Sequence, residues 1–357
     1  MKQNRTLLLG IAAAVLLAAG VWLSLHRDSQ QADLGGSTVF PTLEKALADV
    51  SEIRLSKGDG SRTTLRKDAT GWTVVERQFP ADNLRVRELA LALAKLRVVE
   101  RKTANAANYA KLGVETPDTP TAASTQVDVV AGTQTWSLIV GKGAEGRAVY
   151  VRKPGEQASL LASPLITADP DQKRWLDRLL IDLPGASVHE IAARVGKGPD
   201  YLLTRAARGS PDLVLSPVPK GRTAASAMAL SGQADALSSF NFDDLRPAAA
   251  TAGTDTATYR TFDGQVFTFT GRREGDKAFV AVNASHDAAL AQKFAAPAPA
   301  ATGGATPAPV TPAPERPDNG AVERLATRSQ GVEFEVPVYK YEAIFRPYED
   351  LLEAKTR

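Results

Sequence analysis

The chain contains no cysteine. That excludes disulfides, thiolate metal sites, a cysteine nucleophile and a lipoprotein acyl anchor, which needs a cysteine. Histidine is nearly as scarce, with three in 357 residues. His26, His189 and His286 have no second histidine or carboxylate at ligand spacing, so no metal centre is expected. Charge of one sign is also missing. The 43 basic residues face 40 acidic ones, a net charge of +3 with no block of like charge, so no nucleic-acid partner is expected. There is no Gly-x-Ser-x-Gly elbow, and Gly196-Lys197-Gly198 lacks the hydroxyl residue and spacing of a phosphate loop.

One long apolar run is present. Lys2 and Arg5 precede an uncharged stretch from Thr6 to Leu25, and His26, Arg27 and Asp28 end it. From Leu7 the run would span about 28 Å as a helix, close to the roughly 30 Å of a bilayer core. Leu7, Leu16, Leu17, Trp22 and Leu25 are its anchor residues, with Trp22 near the far interface. Basic residues before the run orient it amino terminus inside. The competing reading is a cleaved signal peptide with Ala18 and Gly20 as small residues at the cleavage site. Both place the body outside the cytoplasm, and the first makes it a single-pass inner-membrane protein with a periplasmic body.

Gly141, Gly143 and Gly146 spell Gly-x-Gly-x-x-Gly. A dinucleotide loop of that pattern must follow a strand and open a helix, whose N-terminal amides hold the pyrophosphate. Here Ala148-Val149-Tyr150-Val151 follows, which reads as another strand, and no acidic residue stands about 20 positions on. The glycines are therefore expected in a hairpin, and neither nucleotide nor cofactor is expected. The adjacent carboxylates Asp243 and Asp244 could be catalytic in principle but read as a cap or turn.

The remaining patterns predict a β-rich α+β fold. Ile53 and Leu55, then Trp72 and Val74, alternate with polar residues. Asp82 is placed to cap a helix with Val86, Leu89, Leu93 and Leu96 on one face. A meander follows through Val127/Val129, Trp136/Leu138/Val140 and Val149/Val151, with a possible fourth strand at Leu160-Leu161. Asp169-Pro170-Asp171-Gln172 reads as the start of a helix with Trp175, Leu176, Leu179 and Leu180 on its apolar face. The chain then begins again: VSEIRL at 50–55 is echoed by VHEIAA at 188–193, and GTQTWSLIVG at 132–141 by DGQVFTFTG at 263–271. An Ala-rich segment, 222–237, stands where the first copy has its helix, and GVEFEVPVYKYEAIF reads as a strand with Phe334, Val336 and Val338 alternating. The expected organisation is a cytoplasmic stub and transmembrane helix at 1–28, a tether at 29–40, and duplicated units of antiparallel strands, helix and meander at 41–183 and 184–294. A disordered Pro/Ala linker at 295–319 and a strand and helix at 320–357, docking on the second unit, complete it.

VSEIRLSK, GWTV, PADNLRV, YAKLGVETP, WSLIVGK, YVRK and the late FEVPVY, behind an amino-terminal anchor, together resemble the family called domain of unknown function 4340. The resemblance spans most of the chain beyond the anchor, although the Pro/Ala linker departs from the commoner layout. It implies an envelope protein beside an ABC-type transport system of the gliding-motility kind, with permease and ATPase subunits as partners and no catalytic residue to carry over. The expected function is thus a non-catalytic auxiliary or scaffold subunit of an exporter. An envelope polysaccharide-binding module, signalled by exposed Trp72, Trp136 or Trp175, is the alternative, and an envelope hydrolase around Asp243 and Asp244 a further one.

Overall fold

A computed structural model describes residues 36–249, 253–295 and 319–354. The expected membrane anchor, most of the tether and nearly all of the linker lie outside the described residues. No helix among the described residues is long and apolar enough to cross a membrane. The chain divides into two compact units, one ending at Leu176 and the other beginning at Asp177. Each is built on an antiparallel sheet, with seven α-helices among the described residues.

The first unit opens with a short helix, α1 (Leu43–Ala46), and continues through β1 (Val50–Ser56), β2 (Arg62–Lys67), β3 (Trp72–Val74) and β4 (Phe79–Pro80). Helix α2 (Asn83–Ala94) leads into β5 (Arg97–Arg101), and α3 (Tyr109–Leu112) into β6 (Thr125–Ala131), β7 (Gln134–Ala144), β8 (Ala148–Arg152) and β9 (Ser159–Ser163). Spatial order is β4-β3-β2-β1-β6-β7-β8-β9-β5. Alternation decides which face is covered: in β6 every second residue from Thr125 to Ala131 is buried. Asp82 caps α2, accepting from the Leu84 and Arg85 amides at 3.0 and 3.1 Å. Val86, Leu89 and Leu93 are buried on its inner face, as their spacing predicts.

The second unit runs β10 (Leu179–Ile181), β11 (Val188–Arg194), β12 (Tyr201–Thr204), β13 (Val214–Ser216), α4 (Ala227–Ala234), β14 (Phe240–Asn241), β15 (Asp244–Pro247), β16 (Asp255–Thr261), β17 (Gln265–Glu274) and β18 (Lys277–His286). Helix α5 (Ala288–Lys293) precedes the linker. Helix α6 (Asn319–Arg328), β19 (Val332–Val336) and α7 (Val338–Ile344) follow it. The sheet order is β13-β12-β11-β16-β17-β18-β19-β15.

Strand for strand, the two sheets have one plan. β1, β2 and β3 correspond to β11, β12 and β13; β6 to β9 correspond to β16 to β19; and β5 corresponds to β15. Even the irregularities match. β1 slips register against β6 between Val50 and Glu52, and β11 slips against β16 between Val188 and Glu190. A 3-10 turn precedes each first strand, at Leu47–Asp49 and Gly185–Ser187. A bulge in the same place in two sheets is far more specific than the few shared letters. The linker has a clear place in this plan: it interrupts the β18–β19 connection. The tail strand is therefore the counterpart of β9, fully paired between β18 and β15.

Four expectations need correction. The helix expected from Asp169 is only a 3-10 turn, Gln172–Trp175, capped by Asp171. Leu179 and Leu180 belong instead to β10, whose hydrogen-bond partner is Phe240-Asn241. Because that partner lies some 60 residues on, local periodicity could not show it. For the same reason the unit boundary falls at 176/177 rather than 183/184. Val338 does not continue the strand, since Pro337 is the N-cap of α7 and turns the chain into a helix. Finally, Asn319 already opens α6, before the expected tail strand.

Candidate functional site

The glycine motif is a piece of sheet. Gly141 and Gly143 lie within β7, and only Gly146, with φ +73°, sits in the turn to β8. A Cβ on Gly141 would come 2.5 Å from the Leu112 carbonyl oxygen and 2.7 Å from that of Gly113. The residue is bare because the chain leaving α3 crosses it. Three of the quoted motifs meet here. Lys142 of WSLIVGK donates through Nζ to the Lys111 carbonyl at 3.1 Å, at the end of α3. Arg152 of YVRK, 5% exposed, donates to the Val114 carbonyl at 2.8 Å and to Thr116 Oγ1 at 3.0 Å. Its guanidinium also lies 4.7 Å from the centre of the Tyr109 ring. YAKLGVETP is thus bolted across the meander, and Lys142 and Arg152 are spent on holding it there.

The other sequence candidates are also structurally engaged. His189 bonds the Arg205 carbonyl through Nδ1 at 2.8 Å and packs against Phe262 and Phe294. His286 bonds the Asp263 carbonyl through Nε2 at 3.1 Å. Asp244 opens β15 opposite Glu335, and the Asp243 amide donates to the Glu335 carbonyl, so the pair marks a strand entry rather than a helix cap. Among the described residues no group of three or more His, Asp or Glu is placed to hold a metal ion. Trp136 and Trp175 are buried, their indole N–H groups donating to Thr42 Oγ1 and the Asp169 carbonyl; Trp72 is half-buried.

Sequence reasoning missed a pair of clefts, one in each unit. Each lies where the first strand ends against the segment that follows the β9 or β19 strand. In the first unit Ser56 and Lys57 face Asp169–Gln172 across about 690 Å³. In the second, Val195 faces the Tyr339–Asp350 region across about 610 Å³. A hydroxyl at the same register position pins that segment in both. Thr63 Oγ1, on β2, donates to the Pro170 carbonyl at 2.6 Å. Tyr201, 138 positions on in β12, donates to the Arg346 carbonyl at 2.7 Å.

The second cleft has the richer chemistry. Tyr341 donates to Asp255 Oδ2 at 2.6 Å, while the Gly196 amide donates to Oδ1 at 2.7 Å. Burial, and then the neighbouring Asp255 carboxylate, push the Tyr341 hydroxyl far above its ordinary value. Gln233, 1% exposed, donates through Nε2 to Tyr201 Oη at 2.8 Å and to the Ile344 carbonyl at 3.1 Å. Its Oε1 is buried with no hydrogen-bond partner. Burial pushes the Tyr201 phenol up to about 12 against the lesser opposing effects of Gln233 and Arg346. The tilted rings of Tyr341 and Phe345, their centres 4.6 Å apart, lie over Gly271.

A match to the family described as domain of unknown function (DUF4340) extends over residues 72–261. The chain belongs to this family. The matched stretch runs from the first residue of β3 to the last of β16, so it takes in the Gly141–Arg152 cluster and crosses from one unit into the next. No curated protein and no solved structure matches the chain.

Proposed function

We propose that this DUF4340 protein is a non-catalytic auxiliary or scaffold subunit of an ABC-type export system, anchored in the inner membrane with its body in the periplasm. The observation that carries the reading is where the body begins. Gly36 and Ser37 already exchange backbone bonds with Val98 of β5, at 2.8 Å each. Only His26 to Gly35 separate this pairing from the end of the apolar run. Ten residues reach at most about 36 Å when fully extended. An anchored run would therefore hold the edge of the first sheet within one domain diameter of the membrane, at high effective concentration toward a membrane partner. The polar side chains conspicuous in the sequence serve packing in the fold, which favours a scaffold over a hydrolase.

The test is affinity purification of the full chain from its native membrane in mild detergent, with mass spectrometry of what accompanies it. Recovery of a permease and its ATPase is expected. Recovery of neither, together with unchanged level and location when the transporter is deleted, would end the reading.

A further inference from the structure

We propose that the cleft of the second unit is a binding site for a neutral saccharide. Tyr339 stands on α7 beside this cleft. This side chain is 67% exposed yet lines the cleft, whereas the large aromatics around it, Tyr341 and Phe345, are buried. The two units can be aligned here by register: Ala162 pairs with Val149 near the end of β9, and Val336 with Ala278 at the end of β19. Counting on from those residues, the first unit has Leu165 at the position of Tyr339, and it is 45% exposed. Both copies thus leave this position open to solvent, and the second places an aromatic ring there. The ring is not part of the core.

An exposed ring at a cleft rim is a stacking platform. The negative face of its π-system attracts weakly positive C–H groups, and the flat C–H face of a sugar offers several at once. The groups behind the ring fit the hydroxyls of the same ligand. Arg346 is half-buried, holds the Ala229 carbonyl at 2.7 Å through one guanidinium nitrogen, and makes no ion pair among the described residues. Asp350 adds an exposed carboxylate acceptor on the same cleft. Gln233 Oε1 is the buried acceptor without a partner, and an unmet buried acceptor is costly enough to call for a donor.

The charges argue for a neutral ligand. Asp255 is already served by Tyr341 and Gly196, and Glu342 is paired with Arg273 at 3.2 Å. What remains, Arg346 and Asp350, is one charge of each sign. An anion would meet three carboxylates in this cleft, and a cation two guanidinium groups. A polyhydroxyl ligand, donor and acceptor at every position, meets neither penalty. The volume lies within the usual range for small-ligand sites.

The inference stands apart from the transporter reading, because co-purification tests that one and titration tests this one. The experiment titrates cellohexaose, maltohexaose and chitohexaose into the purified full chain in a detergent without a sugar headgroup. Binding is followed by calorimetry and ligand-observed magnetic resonance. At least one hexaose should bind in the micromolar-to-millimolar range. Tyr339→Ala should weaken it about three- to tenfold, the size of one stacking contact, and Tyr339→Phe should preserve it. Asp350→Asn, on the exposed rim, should weaken it without altering thermal unfolding. The inference is overturned if no hexaose binds at millimolar concentration, or if Tyr339→Ala binds as well as the parent. A peptide that displaces none of the hexaoses yet binds through Tyr339 with higher affinity would replace the saccharide with a protein ligand.

Discussion

Gly141 and Gly143 stand two residues apart in one strand, and alanine should distinguish them sharply. At Gly143 a new Cβ meets only Leu165 Cδ1, at 3.4 Å, an ordinary contact, and the backbone conformation suits any residue. Replacing glycine within a strand then removes freedom from the unfolded chain and should stabilise by about 0.4–1 kcal/mol. At Gly141 the same methyl would press on two backbone carbonyls, at 2.5 and 2.7 Å, from a segment that Arg152 and Lys142 hold in place. Neither side can swing away as a side-chain tip could. Overpacking of this kind costs about 1–3 kcal/mol, more than the entropic gain returns. The net for Gly141→Ala is a loss of about 1–2 kcal/mol, or roughly 2–8 °C in Tm for a unit of this size. Thermal unfolding by calorimetry, with circular dichroism as a second probe, reads both variants. Equal stability of Gly141→Ala and the parent, or equal damage from the two variants, would refute the packing account. So would a nucleotide that stabilises the parent and fails to stabilise Gly143→Ala, since a phosphate loop would need that glycine bare.

Thr63→Val leaves a buried carbonyl unserved and Tyr201→Phe a half-buried one, so each should lower stability by about 1–3 kcal/mol in its own unit, measured by denaturant titration. Arg152→Lys keeps the charge but loses the forked donation to Val114 and Thr116; a cost of about 1–3 kcal/mol is expected, and a neutral result would remove Arg152 from the cluster. Burial, the largest influence in each case, raises Tyr201 and Tyr259, so the neutral phenols contribute stability that is intact below pH 10 and lost as pH rises, for Tyr201 through about 12. Ultraviolet titration should show these tyrosines ionising only as the second unit unfolds. For Asp169 burial alone would raise the carboxyl, but Arg174 and the Asp171 amide outweigh it and the net shift is downward. Its contribution is present above its ordinary value of 3.8 and lost as pH falls below it, which Arg174→Gln should abolish in acid-unfolding curves. Because the chain has no cysteine, Met228→Cys, at a site 87% exposed, makes one thiol; a membrane-impermeant maleimide should label it in intact spheroplasts and should label Gln3→Cys only after permeabilisation.

Local patterns carried much of the fold. Period-two alternation located the meanders, and the cap and stripe at Asp82–Leu93 located α2, because each is decided by neighbours within a turn or a hairpin. The repeat was legible as two faint echoes, and the register slips made it specific. Neither cleft was legible. Their walls combine the end of one strand with a segment more than 100 residues away, and Thr63 and Tyr201 share a role without sharing a chemical type. Asp169–Leu180 was misread because a capping pattern with apolar spacing is also compatible with one 3-10 turn followed by a strand.

What the sequence determined by itself was therefore the local and the compositional: no thiol chemistry, an apolar run of bilayer length, strands that alternate, and glycines followed by a strand rather than a helix. Pairing was decided only in three dimensions. Tertiary structure seated the tail strand in the slot that β9 fills in the first unit, gave Leu179–Ile181 a partner at Phe240-Asn241, and laid the α3 segment across Gly141. It also buried Tyr341 while leaving Tyr339 in the open. Hydrogen bonding between distant strands and exclusion of apolar surface from water act on whatever the fold brings together, and sequence separation places no limit on that.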